Sequence, residues 1–417
     1  MTSLADSVSG IARPPGGGRK LTVDVVELNP HAPRPFAFTE AALCLRDSLR
    51  AAGLQSDHRV NIANPQAVCM VLGAVPPFNG PLEQLDPRKT LVFNLEQLGS
   101  ASAIAGPEYL QWLRRWLVLD YHSRNVDFLR RVNGPGQAVL ELPIVPGPAL
   151  AFRPDLPPEK SVDVLFFGSA NERRTALLHR LEGAGLRVEI VAGAYADELT
   201  PAIRRARLVL HVHYYDTGLF PVARILQPVA AGVPIVCESS VFSAGSDWSA
   251  SGVLFAPYDG LVDACRQLLA AEDEQRRRAE KSRQFAARID FAGPLENVLQ
   301  ALARRLETPA PAAAAPRPLQ PVAVPRPIAP PQPIAPPRPA TARAAQGPQD
   351  DSAAPLSTEQ IEAILECEAS ELPPEANLRV PPLKLAERQP GQGRYGLWIV
   401  ALLLIFSLYT IWQSTRR

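Results

Sequence analysis

The sequence predicts an α/β protein made of two successive parallel-sheet units, and three observations lead there. Short apolar runs rich in β-branched residues alternate with helical segments from Leu21 to about Glu307, as strands joined by crossover helices do. The alternation breaks at a proline-rich hinge, "PGPALAFRPDLPPEK" from Pro146 to Lys160, and then restarts. A chain of 417 residues is also too long for one ordinary core.

The first unit, 20–150, opens with the strand "LTVDVVEL" and a long loop, "NPHAPRPFAF". Helical periodicity then covers Thr39 to about Ala52, with Thr39 as the expected N-cap and Gly53 as the stop. "VCMVLG", "TLVFNLEQ", "WLVLDY" and "AVLELPIV" supply the remaining strands. The second unit, 151–307, restarts with "VDVLFFGS" and a helix, "NERRTALLHRLEGAG", that Asn171 is placed to cap. "RVEIVAG", "RLVLHVHY" and "VPIVCES" are its further strands. A helix from about Pro221 to Ala231 precedes the last of them, stopped by Gly232, and Pro234 prevents its continuation.

The flanking segments differ in kind. Residues 1–19 are polar and Gly/Pro-rich without an apolar stretch, so they predict disorder and no secretory signal. Residues 308–355 are dominated by proline, with "PRPIAPP" and "PQPIAPP" nearly repeating; such a segment favours polyproline II and acts as a spacer. Residues 356–394 contain a short amphipathic pattern, with Ser357 and Gln360 as a capping box and Ile361, Ile364 and Leu365 as one stripe. It reads either as a protein-docking helix over 356–371 or as a marginal, solvated one. The run "YGLWIVALLLIFSLYTIW", 395–412, is uncharged and apolar with aromatic residues at both edges, which predicts a transmembrane helix. With that anchor at the C-terminal side, the globular part is expected at the cytoplasmic face of an inner membrane. A net charge of +1 excludes a strong non-specific field for nucleic acid. Five scattered cysteines read as reduced thiols rather than a disulfide framework.

Two histidines, His211 and His213, share one face of the predicted strand "RLVLHVHY". Such a pair can chelate a metal, but a catalytic zinc needs a third protein ligand, and neither HExxH nor CxxC accompanies them. No metal is therefore expected. His213 and Tyr214 instead fall at the carboxyl end of a parallel strand, where open α/β sheets form ligand crevices.

At "ILQPVAAGVPIV" the sequence resembles the C-terminal half of GT-B glycosyltransferases of the nucleotide-sugar type, and "SGVLFAPYDGLVDACRQLL" is similar to the segment that closes that half. "LVFNLEQL", "LVLDYHSRNVDFL", "VDVLFFGSANERR" and "LHVHYYDTGLFPVARI" resemble a bacterial subgroup of family 1 type. The resemblance covers about Leu21 to Leu306. It implies two Rossmann-like domains facing a cleft, a nucleotide-sugar donor on the second, a glycan or glycolipid acceptor against the first, and no cofactor. Gly168 and Ser169 with Arg173 and Arg174 at the following helix start then form a candidate diphosphate site, the alternative being a solvated helix face. Many such enzymes carry two acidic donor ligands eight residues apart; here those positions are Leu219 and Gln227, and Arg224 stands one turn before Gln227. Glu238, at a strand end, is a further donor-side candidate. Glu96 and His122, both just past strands of the first unit, are the candidate catalytic groups, an imidazole being suited to take a proton near neutrality. A non-catalytic binding or scaffold module is the rival, favoured by the missing acidic pair. A dinucleotide oxidoreductase lacks its GxGxxG.

The anchor makes one expectation directly testable. Truncation before Arg394 should release a folded, detergent-free soluble protein. Persistent sedimentation of that truncated chain with membranes would count against the assignment.

Overall fold

The computed structural model describes residues 21–307, apart from 76–81, 83, 100–105, 135, 151–159, 170, 216–217, 241–242 and 244–246, together with the backbone of 384–385. The predicted N-terminal tail, most of the hinge, the Pro-rich linker, the amphipathic helix and the apolar run Tyr395–Trp412 lie outside the described residues. Among the described residues no helix is long and apolar enough to cross a membrane.

The first half holds the strands β1 (Val23–Glu27), β2 (His58–Val60), β3 (Ile62–Ala63), β4 (Val68–Leu72), β5 (Thr90–Asn94), β6 (Leu117–Asp120) and β7 (Val139–Glu141). Six of them form one sheet in the order β2-β1-β4-β5-β6-β7, every pair parallel. Helices α1 (Thr39–Ala51), α2 (Pro107–Leu113) and α3 (Ser123–Asn133) make the crossovers. Alternation along the strands assigns the two faces: Val23, Val25, Met70, Leu72, Leu91 and Phe93 enter one apolar cluster, and Val26, Cys69, Val71 and Val92 the other.

A second, separate sheet follows the hinge. Its strands are β8 (Val162–Phe167), β9 (Val188–Val191), β10 (Ala206–His211), β11 (Ile235–Glu238) and β12 (Leu254–Ala256), all parallel, in the order β12-β11-β10-β8-β9. Helices α4 (Glu172–Gly183), α5 (Thr200–Arg205), α6 (Val222–Ala231), α7 (Leu261–Leu269) and α8 (Glu272–Ala286) lie around it, and α9 (Ala292–Glu307) follows. Two sheets rather than one continuous sheet is what the interrupted pattern predicts. The backbone of Lys384–Leu385 adds a short strand, β13, parallel to β3.

The two halves share a core. Phe220, Val222, Ile225, Leu226 and Val229, from α6 and the loop before it, join the same apolar cluster as the first sheet and α1. Leu295, Val298, Leu299 and Leu302 of α9 join it too, and Arg305 of α9 donates to the Arg115 carbonyl at 3.1 Å. The last helix of the second half therefore returns to the first. Each buried leucine or isoleucine contributes about 1.5–3 kcal/mol by leaving water, so this seam is a substantial attachment.

Local signals held in part. Asn171 caps α4 through a 2.9 Å bond from the Arg174 N–H, and Gly232 ends α6 at φ +66°. Thr39 does not cap α1. Its hydroxyl accepts the Phe36 N–H at 2.8 Å and donates to the buried Glu27 carboxylate at 2.7 Å, tying the loop to β1. Strand β10 ends at His211, so His213 and Tyr214 belong to the loop beyond it.

Helix α8 rests directly on the turn into β12. A Cβ at Gly252 would lie 1.8 Å from the Arg278 carbonyl oxygen and 2.7 Å from the Ser282 hydroxyl. Gly252→Ala must push helix and turn apart and is expected to destabilise the fold by about 2–3 kcal/mol, read as a lower midpoint in chemical denaturation. An unchanged midpoint would show that this contact yields freely.

Candidate functional site

The carboxyl ends of both sheets face each other across a cavity of about 200 Å³. The first half contributes Phe38 just before α1, Glu40 from its first turn, Leu95 to Gln97 after β5, and Tyr121 after β6. The second contributes Phe167 and Gly168 after β8, Gly193 to Tyr195 after β9, Tyr215 after β10, and Arg224 and Gln227 from α6. Parallel strands all point their carboxyl ends the same way, so every loop that carries one of these residues opens on this side.

Arg224 and Gly168 depend on each other. Gly168 has φ +115°, and a Cβ there would fall 2.0 Å from the Arg224 Nη1. Only glycine adopts that backbone without strain and leaves room for the guanidinium, which donates to the Phe167 carbonyl at 3.2 Å. Burial lowers the pKa of Arg224 below its ordinary value, and the group still brings a cation to an otherwise enclosed wall.

Gln227 is 4% exposed and its amide is oriented by two bonds, Nε2 donating to the Ala196 carbonyl and the Thr200 hydroxyl, both at 2.9 Å. Its Oε1 is buried and has no hydrogen-bond partner. An orphaned acceptor in a cavity wall costs about 1–3 kcal/mol unless a ligand hydroxyl or amide donates to it. Leu219, by contrast, is fully buried and apolar.

Glu40 was not singled out by sequence, because no motif surrounds it. It lies in the first turn of α1, is 7% exposed, and accepts the Ala196 N–H at 2.7 Å from across the cleft. Burial pushes its carboxyl up to about 7, against that N–H and the pull of Arg224. The Ala196 peptide is thus held from both halves, by Glu40 at its N–H and Gln227 at its carbonyl, with φ at +44°. Beside it Arg34 makes a bidentate ion pair with Glu198, both bonds 2.9 Å. The signal that finds Glu40 is positional: an acid in the helix that follows the first strand of a parallel sheet.

Of the catalytic candidates, Glu96 lines this cavity. His122 does not. Its ring caps α3 by accepting the Arg124 N–H at 3.1 Å and faces a smaller neighbouring cavity of about 100 Å³ with Glu141 and Trp248. Asp120 beneath it accepts from the His122 N–H, Asn94 and Asn125. Burial nevertheless pushes that carboxyl up to about 8.

The donor-side candidates other than Gly168, Arg224 and Gln227 form a braced cluster beside the cavity. Arg174 is only 1% exposed; its guanidinium donates to the Val212 carbonyl at 2.6 and 3.1 Å and the Ser169 carbonyl at 2.6 Å, and lies 4.9 Å from the Tyr214 ring. Arg174 is therefore neither a solvated helix residue nor one lining the cavity, and burial pushes it down to about 9. Arg173 pairs bidentately with Glu238 and lies 4.0 Å over the Tyr258 ring. The Glu238 Oε2 that takes one of those bonds also accepts the His213 N–H at 2.9 Å. The His213 Nε2 must be protonated, since it donates to the Glu238 carbonyl at 3.0 Å, which leaves the buried Nδ1 as an acceptor with no partner. His211 packs edge-on to His213 at 5.4 Å. Among the described residues no three His, Cys, Asp or Glu side chains are grouped to hold a metal.

A family model described as glycosyl transferase-like matches residues 161–293, from β8 to the start of α9. No curated protein matches the chain significantly. Among solved structures, sucrose-phosphate synthase from Thermosynechococcus elongatus is 14% identical, with 69% of this chain and 99% of that one aligned at a TM-score of 0.46. WaaG, a glycosyltransferase involved in lipopolysaccharide biosynthesis, is 11% identical over 68% and 99% of the chains at 0.43. HepE from Anabaena, in complex with UDP and glucose, is 9% identical over 68% and 99% at 0.42.

The Arg173–Glu238 pair has a pH signature. Burial opposes ionisation of Glu238, but Arg173 and the His213 N–H outweigh it and hold the carboxyl below its usual value. A depressed carboxyl stabilises the fold above its unfolded pKa of about 4.3 and loses that contribution as pH falls. Glu238→Gln should lower the melting temperature at neutral pH and flatten its decline in acid. Parallel curves for the two proteins between pH 7 and pH 3 would refute it.

Proposed function

We propose that the chain transfers a sugar from a nucleotide-sugar donor to a glycan or glycolipid acceptor of an envelope polysaccharide, held at the membrane's inner face by the apolar run Tyr395–Trp412 and the Pro-rich tether. One observation carries the proposal: the half that matches the glycosyl transferase-like model supplies one wall of a cavity lying between the carboxyl ends of two parallel sheets. Open α/β sheets bind ligands on that side. Arg224 offers a cation for a phosphate, and the Gln227 Oε1 an acceptor for a ribose or sugar hydroxyl.

The cavity volume of about 200 Å³ is below the roughly 300–1,000 Å³ that ligand sites of drug size occupy. A nucleotide sugar thus needs the halves to part, with the cleft then reclosing over it. Reclosure would exclude water and hold donor and acceptor in register, which is where positioning contributes to the rate.

A second reading is a binding module without turnover. The fully buried Leu219, and an Arg174 whose guanidinium is engaged by backbone carbonyls, favour it.

Thermal-shift measurements with UDP-, GDP-, ADP- and TDP-sugars separate these. A ligand that binds only the folded state raises its stability by about 2.7 kcal/mol at a hundred times its Kd. At least one nucleotide sugar should raise the melting temperature, and Arg224→Ala and Gln227→Ala should each weaken that shift. No shift with any of the four classes would overturn the donor assignment. Binding without release of nucleoside diphosphate would favour the module.

A further inference from the structure

Glu40 is the buried carboxylate that links the two halves at the cavity. It comes from the first half, where the acceptor is expected, and reaches the backbone of the second, where the donor is expected. One oxygen is engaged by the Ala196 N–H at 2.7 Å. That bond and a second from Glu40's own backbone N–H hold the side chain in place without neutralising it. The ionisable groups around it are Glu27 from β1, Cys44 one turn on in α1, Arg224 from α6, and Glu96, Tyr121, Tyr195 and Tyr215 from the loops that line the same cavity. Arg224 is the cation facing it, and the Glu27 carboxylate is itself occupied by Thr39 and His58.

We infer that Glu40 takes the proton from the acceptor hydroxyl during sugar transfer. The proposal rests on the donor assignment made above and adds the residue that completes the step. The acceptor oxygen forms a bond to the anomeric carbon. The bond from that carbon to the diphosphate oxygen breaks, and its electron pair leaves with the nucleoside diphosphate. The hydroxyl proton moves to a Glu40 oxygen and passes to solvent when the cleft opens. A carboxyl raised to about 7 by burial suits this role, since a base titrating near the working pH takes up the proton and releases it again.

Two substitutions separate the role from a merely structural one. Gln at position 40 still presents an oxygen to the Ala196 N–H but cannot accept a proton, whereas Asp keeps the carboxylate on a shorter stem. The experiment uses the full chain in detergent. It measures melting temperature, affinity for UDP-glucose, GDP-mannose, ADP-glucose and TDP-glucose, and nucleoside diphosphate release with water as acceptor, from pH 5 to 9. In the wild type, release should rise with pH and level off above about 7. Glu40→Gln should keep its melting temperature and nucleotide-sugar affinity within about threefold, lose about 10²–10⁴-fold in rate, and lose the acidic limb. Glu40→Asp should recover part of the rate and keep a limb. Wild-type turnover without a limb near pH 7, or Glu40→Gln turnover at the wild-type rate and profile, would reduce Glu40 to an interdomain contact while leaving the donor assignment intact. Should Glu40→Gln fail to fold, the wild-type profile and Glu40→Asp still decide. A wild type that neither binds nor turns over any of the four nucleotide sugars would overturn both.

Discussion

A parallel sheet must be covered on both faces, because its crossover helices and its apolar strands leave neither face fit for water. In this chain the first sheet meets that demand partly with its own α1, against which α6 of the second half packs, and partly with α9, which lies on β7. The borrowed cover holds the two halves together. It also sets their orientation, since α6 can pack on α1 only if it carries the second sheet with it. The carboxyl ends of both sheets are then brought face to face, and the cavity forms at the seam rather than within either half.

The polar groups at that seam follow from the same constraint. Removing Glu40, Arg224 and Gln227 from water is unfavourable unless each finds partners, and the structure supplies them sparingly. Glu40 receives only the backbone N–H groups of Ala196 and of its own residue, Arg224 gives one bond to a carbonyl, and Gln227 leaves its Oε1 unbonded. Next to it Arg173, Arg174 and Glu238 are fully engaged, although the His213 Nδ1 stays without a partner. Their bonds brace the loop after β10, whereas the cavity wall stays under-satisfied. The unbonded Gln227 Oε1 in that wall is capacity for a ligand that can donate to it.

The strap around Ala196 ties these features to motion. Its peptide is gripped from both halves, and the Arg34–Glu198 pair lies on the exposed side of the same contact. Exposed ion pairs contribute little, typically 1 kcal/mol or less, so the grip can release at modest cost compared with the apolar seam. Opening that admits a donor is easiest where polar contacts, rather than α6 packing, bridge the halves.

By itself the sequence determined the alternation of strand and helix, the break at the hinge, the cap at Asn171 and the stop at Gly232, because periodicity and capping act over a few neighbouring residues. It also placed Gly168, Arg224, Gln227 and Glu96 among the candidates, since each follows a strand or lies on a recognisable helix. Only the tertiary structure decided how those residues are used. Arg173 and Arg174 read as free cations at a helix start, but the Glu238 carboxylate at the end of β11 and the Val212 carbonyl that engage them lie 65 and 38 residues away. Glu40 is one acid among many until α1 and the 3-10 turn at Ala196 are brought together across 156 residues. Burial, and with it the shift of a carboxyl toward neutrality, is a property of that assembled seam and has no local signal in the chain.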